Sequence, residues 1–124
     1  MMDLIYRDEA YKIIGCCFEV HKELGKGFNE IVYKDALEIE FNQNNIAYNR
    51  EKEFYIGYKG IKIKHNYFAD FVIYEKIILE IKAIERLTSG NIKQTLNYLA
   101  ASKLKLGLLV NFGENSLQYK RIVL

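Results

Sequence analysis

Residues 67–82, reading Tyr-Phe-Ala-Asp-Phe-Val-Ile-Tyr-Glu-Lys-Ile-Ile-Leu-Glu-Ile-Lys, constrain the fold more than any other stretch of this chain. Aromatic and β-branched residues crowd both halves and the charged pair Glu75-Lys76 interrupts them, the pattern of two strands joined by a tight turn. In the second strand Ile77, Leu79, Ile81 and Ala83 fall on one face, which leaves Ile78, Glu80, Lys82 and Ile84 on the other. Glu80 and Lys82 are then neighbours bracketed by isoleucines. In the first strand Asp70, a poor strand former, is expected between Phe68 and Val72 on its own face. Pairing of the two strands would bring Asp70, Glu80 and Lys82 together.

Two carboxylates beside one ammonium suit a hard divalent cation, since magnesium is held by one or two carboxylates plus water and phosphate oxygens. Asp70 and Glu80 are the candidate ligands, and Lys82 is placed to meet an attacking water or a phosphate oxygen. A Glu-x-Lys on a half-exposed strand is by itself usually a solvated charge pair. The surrounding chain therefore decides.

With 124 residues, half of them hydrophobic, the chain reads as one domain over 1–124, able to bury roughly two thirds of its unfolded surface without a disulfide or metal staple. A formal net charge of +2 does not argue for nucleic acid, so any basic surface must be local. Cys16 and Cys17 are adjacent, which suits neither a disulfide framework nor a Cys-x-x-Cys metal pair, and a reduced, cytoplasmic setting is expected. The N-terminus has neither the cationic start nor the apolar core of a signal peptide, and no apolar run reaches membrane-spanning length.

Apolar residues at Ala10, Ile13, Ile14, Cys17, Val20 and Leu24 predict a helix over 8–24, capped by Asp8, with Cys16, Cys17 and Phe18 on its core face. His21 lies near the same face. Gly25 and Gly27 turn the chain, and Asn29 can cap a second helix running to about Gln43. Glu30 suits the first turn through the helix dipole alone, yet it shares a stripe with Tyr33 and Leu37 that would turn it partly inward, where a carboxylate needs a partner. Residues 46–58 and 61–74 read as a hairpin turning at 57–60, with Lys59, Lys62, Lys64 and His65 on a basic side near Tyr55, Tyr58 and Tyr67. Thr88 or Ser89 can cap a helix over 90–103, on which Gln94 and Tyr98 share a face one turn apart. Residues 106–112 form a continuous apolar strand suited to a sheet interior, and 118–124 close the sheet. The sum is an α/β architecture, a mixed sheet of about five strands flanked by helices.

Gly27-Phe-Asn-Glu30-Ile-Val-Tyr33 resembles the signature of the GxxExxY protein family. The blocks Phe18-Glu-Val-His-Lys-Glu-Leu-Gly, Tyr67-Phe-Ala-Asp-Phe-Val, Leu79-Glu-Ile-Lys-Ala, Gln94-Thr-Leu-Asn-Tyr-Leu and Gly107-Leu-Leu-Val-Asn-Phe-Gly are similar to that family's in the same order, from about residue 13 to 124. That family is assigned to the PD-(D/E)XK nuclease superfamily, so the resemblance implies a restriction-endonuclease-like core with an extra N-terminal helix. It implies Asp70 and Glu80 as ligands of Mg²⁺ or Mn²⁺, Glu30 as a further acidic ligand from a helix, and Lys82 as the catalytic lysine. Gln94 and Tyr98 match the Gln-x-x-x-Tyr motif of RecB-like nucleases, and with Tyr33 they are the implied substrate-facing residues, Gln94 also positioning substrate or water. The implied activity is metal-dependent hydrolysis of nucleic acid, DNA favoured over RNA; the lack of a long apolar run argues against a membrane partner, and so small a chain could gain substrate grip as a homodimer. The alternative is a nuclease-fold module that binds nucleic acid or protein without chemistry.

Overall fold

The computed structural model describes residues 4–124. Two helices, α1 (Arg7–Leu24) and α2 (Glu30–Gln43), precede strands β1 (Tyr48–Tyr58), β2 (Ile61–Ile73) and β3 (Ile77–Lys82). Helix α3 (Ser89–Ser102) then leads to β4 (Leu106–Asn111) and β5 (Gln118–Ile122). The five strands form one sheet in sequence order, antiparallel except for the parallel β3–β4 pair, whose connection is α3. A parallel pair needs a crossover of this kind. The result is the expected mixed sheet with flanking helices.

The two faces of the sheet are covered unequally. Ile77, Leu79 and Ile81 of β3, with Leu106, Leu108 and Val110 of β4, pack against Ile13, Cys17, Tyr33, Leu37 and Phe41 of α1 and α2. Ile78 and Leu109 face the other way, against Tyr98 and Leu99 of α3. Glu80 and Lys82 therefore belong by alternation to the α3 side of the sheet. There α3 comes close to β4, because a Cβ at Gly107 would stand 2.7 Å from Thr95 Cγ2.

Several local expectations are corrected. Helix α1 begins at Arg7 after Tyr6 in a left-handed conformation, so Asp8 does not cap it. Phe18 is 48% exposed and meets Tyr119 edge-on, while Cys16 and Cys17 are buried. Burial pushes the Cys16 thiol up to about 11 and Cys17 further still, which leaves both unreactive. The β2–β3 turn starts one residue early, with Tyr74 and Glu75 both at positive φ. Thr88, of the two candidates, caps α3 through a reciprocal pair of bonds with Asn91. Among the described residues no helix is long and apolar enough to cross a membrane.

Candidate active site

Strands β2 and β3 pair along the backbone through only three positions, Phe71–Leu79, Val72–Ile78 and Ile73–Ile77. One step further the side chains replace the ladder. The Asp70 N–H donates to Glu80 Oε2 at 2.7 Å, and the Ile81 N–H donates to Asp70 Oδ2 at 2.7 Å. Each carboxylate thus satisfies a donor on the opposite strand and is fixed by one oxygen, keeping the other for a further partner. Asp70 and Glu80 are brought together as expected, through crossed bonds that also part the strands.

The alternation of β2 breaks at this point. Tyr67 and Ala69 pack on the α3 side, whereas Phe71 and Ile73 pack on the α1–α2 side. Asp70 therefore does not share one face with both Phe68 and Val72. Opposite it in β1, the pairing runs from Arg50–Phe71 to Lys52–Ala69 and skips Glu51, which adopts φ 54°. A left-handed glutamate is uncommon, and irregularities of this sort re-aim side chains next to functional sites.

Lys34, on α2, was not among the expected site residues. Its Nζ donates to Asp70 Oδ1 at 2.9 Å and to Glu51 Oε1 at 2.8 Å. Glu30, one turn earlier, bonds to neither Asp70 nor Glu80, and among the described residues no three His, Cys, Asp or Glu side chains gather as metal ligands. The protein thus offers two carboxylates at this point and α2 offers an ammonium. A sequence signal for Lys34 existed, since the stripe that turns Glu30 inward also carries the residue four positions on.

Glu80 is 3% exposed. Burial, then the charge of Asp70, push its carboxyl up to about 8, against the pull of the Asp70 N–H, Lys82 and Lys34. The same burial and like charge that raise this carboxyl would be relieved by a nearby positive charge. The donors are hard oxygens, the type that holds a hard divalent cation, and Lys34 stands beside Asp70 as the cation present. The sign of the pH effect on the metal-free fold follows. Between the ordinary 4.5 and about 8 the folded protein keeps a proton that the unfolded chain has released, so stability falls as pH rises through that window. Glu80→Gln removes this slope, and thermal melts from pH 5 to 9 should show the variant gaining roughly 4 kcal/mol on the wild type by the alkaline end.

The remaining residues divide. Lys82 is half-buried, and its charge reaches Glu80. Tyr98 is 8% exposed, packs edge-on to Tyr67, and has its hydroxyl pushed up to about 12 by burial and then by the charges of Glu80, Asp70 and Glu51. Gln94, one turn away on α3, is exposed. Tyr33 is fully buried and stacks on Phe112. Its hydroxyl donates to the Gly25 carbonyl at 2.7 Å and accepts from the Phe28 N–H, so it holds the α1–α2 turn together and has no surface for the substrate contact expected of it. His21 meets the Glu114 carbonyl and lies with Phe112.

The end of β3 is anchored by a residue that composition did not single out. Asn111, fully buried, accepts from the Ile84 N–H at 3.0 Å and donates to the Ile84 carbonyl at 2.9 Å, while the Phe112 N–H donates to the Lys82 carbonyl at 2.8 Å. The backbone that carries Lys82 is pinned to β4.

A family model described as the PD-(D/E)XK nuclease superfamily matches residues 7–122. Among solved structures the chain is similar to the crystal structure of SSO0001, with a TM-score of 0.59 and 24% sequence identity, covering 77% of this chain and 50% of that one. The chain thus spans about half the length of that protein, and at this identity the likeness concerns the fold. No curated protein matches.

Proposed function

The chain belongs to the PD-(D/E)XK nuclease superfamily, and from that membership we propose that it hydrolyses phosphodiester bonds of nucleic acid, DNA in preference to RNA, with Mg²⁺ or Mn²⁺ at Asp70 and Glu80. The observation that carries the proposal is the crossed pair of backbone bonds that fixes both carboxylates at one point, with the Lys82 charge within reach of Glu80. A bound divalent cation supplies polarisation of the scissile phosphate and a water of lowered pKa. Asp70 and Glu80 hold and orient that ion, each pre-positioned by an N–H of the opposite strand. Lys82 directs its ammonium at the attacking water or at charge developing on phosphate oxygens. Tyr98 and exposed Gln94, one turn apart on α3, would contact substrate, Gln94 helping to position it or the water. Within the superfamily we assign the chain to the GxxExxY family on the Gly27 to Tyr33 signature. The two free thiols suit a cytoplasmic setting.

The β1–β2 hairpin supports a nucleic-acid substrate. β3 pairs with β2 only at Phe71, Val72 and Ile73, so from Asp70 outward the hairpin continues as a two-stranded arm roughly 30 Å long. Residues 52–66 of that arm carry four lysines against one glutamate, in a chain whose net charge is only +2. Glu53 is taken up by Asn66 and Tyr55. Lys62 sits 3.8 Å over the Tyr55 ring and Lys59 lies beside Tyr58, which holds ammonium groups along the arm for phosphates. Replacing Lys59, Lys62 and Lys64 by Ala is expected to flatten the dependence of log Kobs for duplex DNA on log salt by about 2 to 3, if each lysine meets one phosphate. Binding titrations at several salt concentrations check this. An unchanged slope would mean that the arm does not touch the backbone.

The proposal is tested by incubating purified protein with labelled single-stranded DNA, duplex DNA and RNA, with Mn²⁺ or with a chelator. Cleavage that requires the metal is expected. One observation favours a second reading, a module that binds without cutting: Lys34 already neutralises Asp70. Under that reading calorimetry finds no Mn²⁺ binding while DNA affinity persists.

A further inference from the structure

We propose that Lys34 is a built-in counter-ion of the candidate metal site, displaced from Asp70 by an arriving divalent cation and received by Glu51. The inference rests on the reading of Asp70 as a metal ligand.

The Asp70 carboxylate has one oxygen committed to the Ile81 N–H, and Lys34 Nζ stands 2.9 Å from the other. A cation approaching the uncommitted oxygen therefore meets a like charge already in contact with it. That charge is poorly screened, because the Lys34 side chain is 12% exposed and anchored on α2. Lys82, in contrast, forms no ion pair among the described residues, so the ammonium filling the cation's electrostatic place comes from the helix and not from β3.

A displaced lysine needs somewhere to go. Lys34 already donates to Glu51 at 2.8 Å, and the Glu51 side chain is half exposed, so it can hold the ammonium with water completing the shell. Glu51 reaches this position from φ 54°, opposite Asp70, where the β1–β2 ladder skips a pair. An unfavourable backbone conformation persists only where its surroundings impose it. Its outcome here is a second acceptor for the Lys34 ammonium beside Asp70. Lys34 is thus a positioning residue that steadies Asp70 in the metal-free protein and sets the affinity of the site.

Mn²⁺ titration of the full chain, by calorimetry or water-proton relaxation, separates the possibilities. Lys34→Met is expected to bind Mn²⁺ about tenfold or more tightly than wild type, because a cation a few ångströms away has been removed. Lys34→Gln should act in the same direction and serves if methionine disturbs the fold, whereas Lys34→Arg should stay near wild type. Glu51→Gln should weaken binding several-fold, since Lys34 then has only Asp70 to hold. In the Lys34→Met background Glu51→Gln should change nothing, because Glu51 acts through Lys34. Unchanged or weaker binding in both neutral Lys34 variants overturns the inference. So does an equal Glu51→Gln effect in both backgrounds, which would mean that Glu51 acts on the metal directly. If neither wild type nor any variant binds Mn²⁺, the metal-site reading falls and this inference with it.

Discussion

Lys82→Ala is expected to lower metal-dependent cleavage by about 10³-fold while leaving the fold in place, in the range found when a positioned proton-transfer group or charge-stabilising donor is removed. Lys82 ends β3 on the α3 side, two residues beyond Glu80 and half-buried, and no ion pair among the described residues occupies its ammonium. Truncating such a side chain should change stability by no more than about 0.5 kcal/mol. Initial rates on labelled DNA with Mn²⁺, paired with thermal melts of the same preparations, read both quantities. Equal cleavage by wild type and variant would identify the activity as a contaminant. A large fall in melting temperature would instead give Lys82 a structural part that its surroundings do not suggest.

Gly113→Ala should cost the most stability of the glycine-to-alanine changes in this chain. A Cβ at Gly113 would lie 2.2 Å from the Ile84 carbonyl oxygen and 2.4 Å from the Ile84 nitrogen, and backbone atoms cannot swing aside as a side chain does. The expected loss is about 3 kcal/mol, or roughly 10 °C in Tm. The clash falls on the bonds by which Asn111 holds Ile84, just past Lys82, so the surviving folded protein should also cleave more slowly. A variant with wild-type melting behaviour would mean that the β3–α3 connection is free to move, contrary to the bonds that Asn111 makes.

These two residues mark the limits of what the chain revealed before its structure. Helical spacing located the helices, and β-branched or apolar runs bounded by turns located the strands, because the core faces of β3, β4 and the helices are regular. Asp70, Glu80 and Lys82 stood out because charges in apolar strands are costly unless satisfied or used. What spacing misses is irregularity. Asp70 sits where β2 exchanges faces, and Glu51 at positive φ is invisible because glutamate carries no signal for that conformation. The Lys34 contact joins residues 36 apart in sequence, which no local pattern encodes. Tyr33 shows the opposite failure: a conspicuous motif residue that is fully buried and ties a turn. Asn111 looked like one polar residue at the end of an apolar strand, and only the position of Ile84 reveals its task.

The geometry also bears on the events that a metal would provoke. On the proposed reading of both carboxylates as ligands, a metal would favour the ionised form of Glu80 and would compete with Lys34 for Asp70. Metal uptake should therefore be accompanied by proton release below about pH 8.

The most direct measurement is Mn²⁺ binding by wild type beside Asp70→Asn and Glu80→Gln, followed by calorimetry at pH 8 on proteins whose folding has been checked by melting. The account predicts a site in the wild type that is abolished or weakened at least about a hundredfold by either substitution, since each removes one of two charged ligands. Binding of equal strength in all three proteins would place the metal elsewhere and contradict the account.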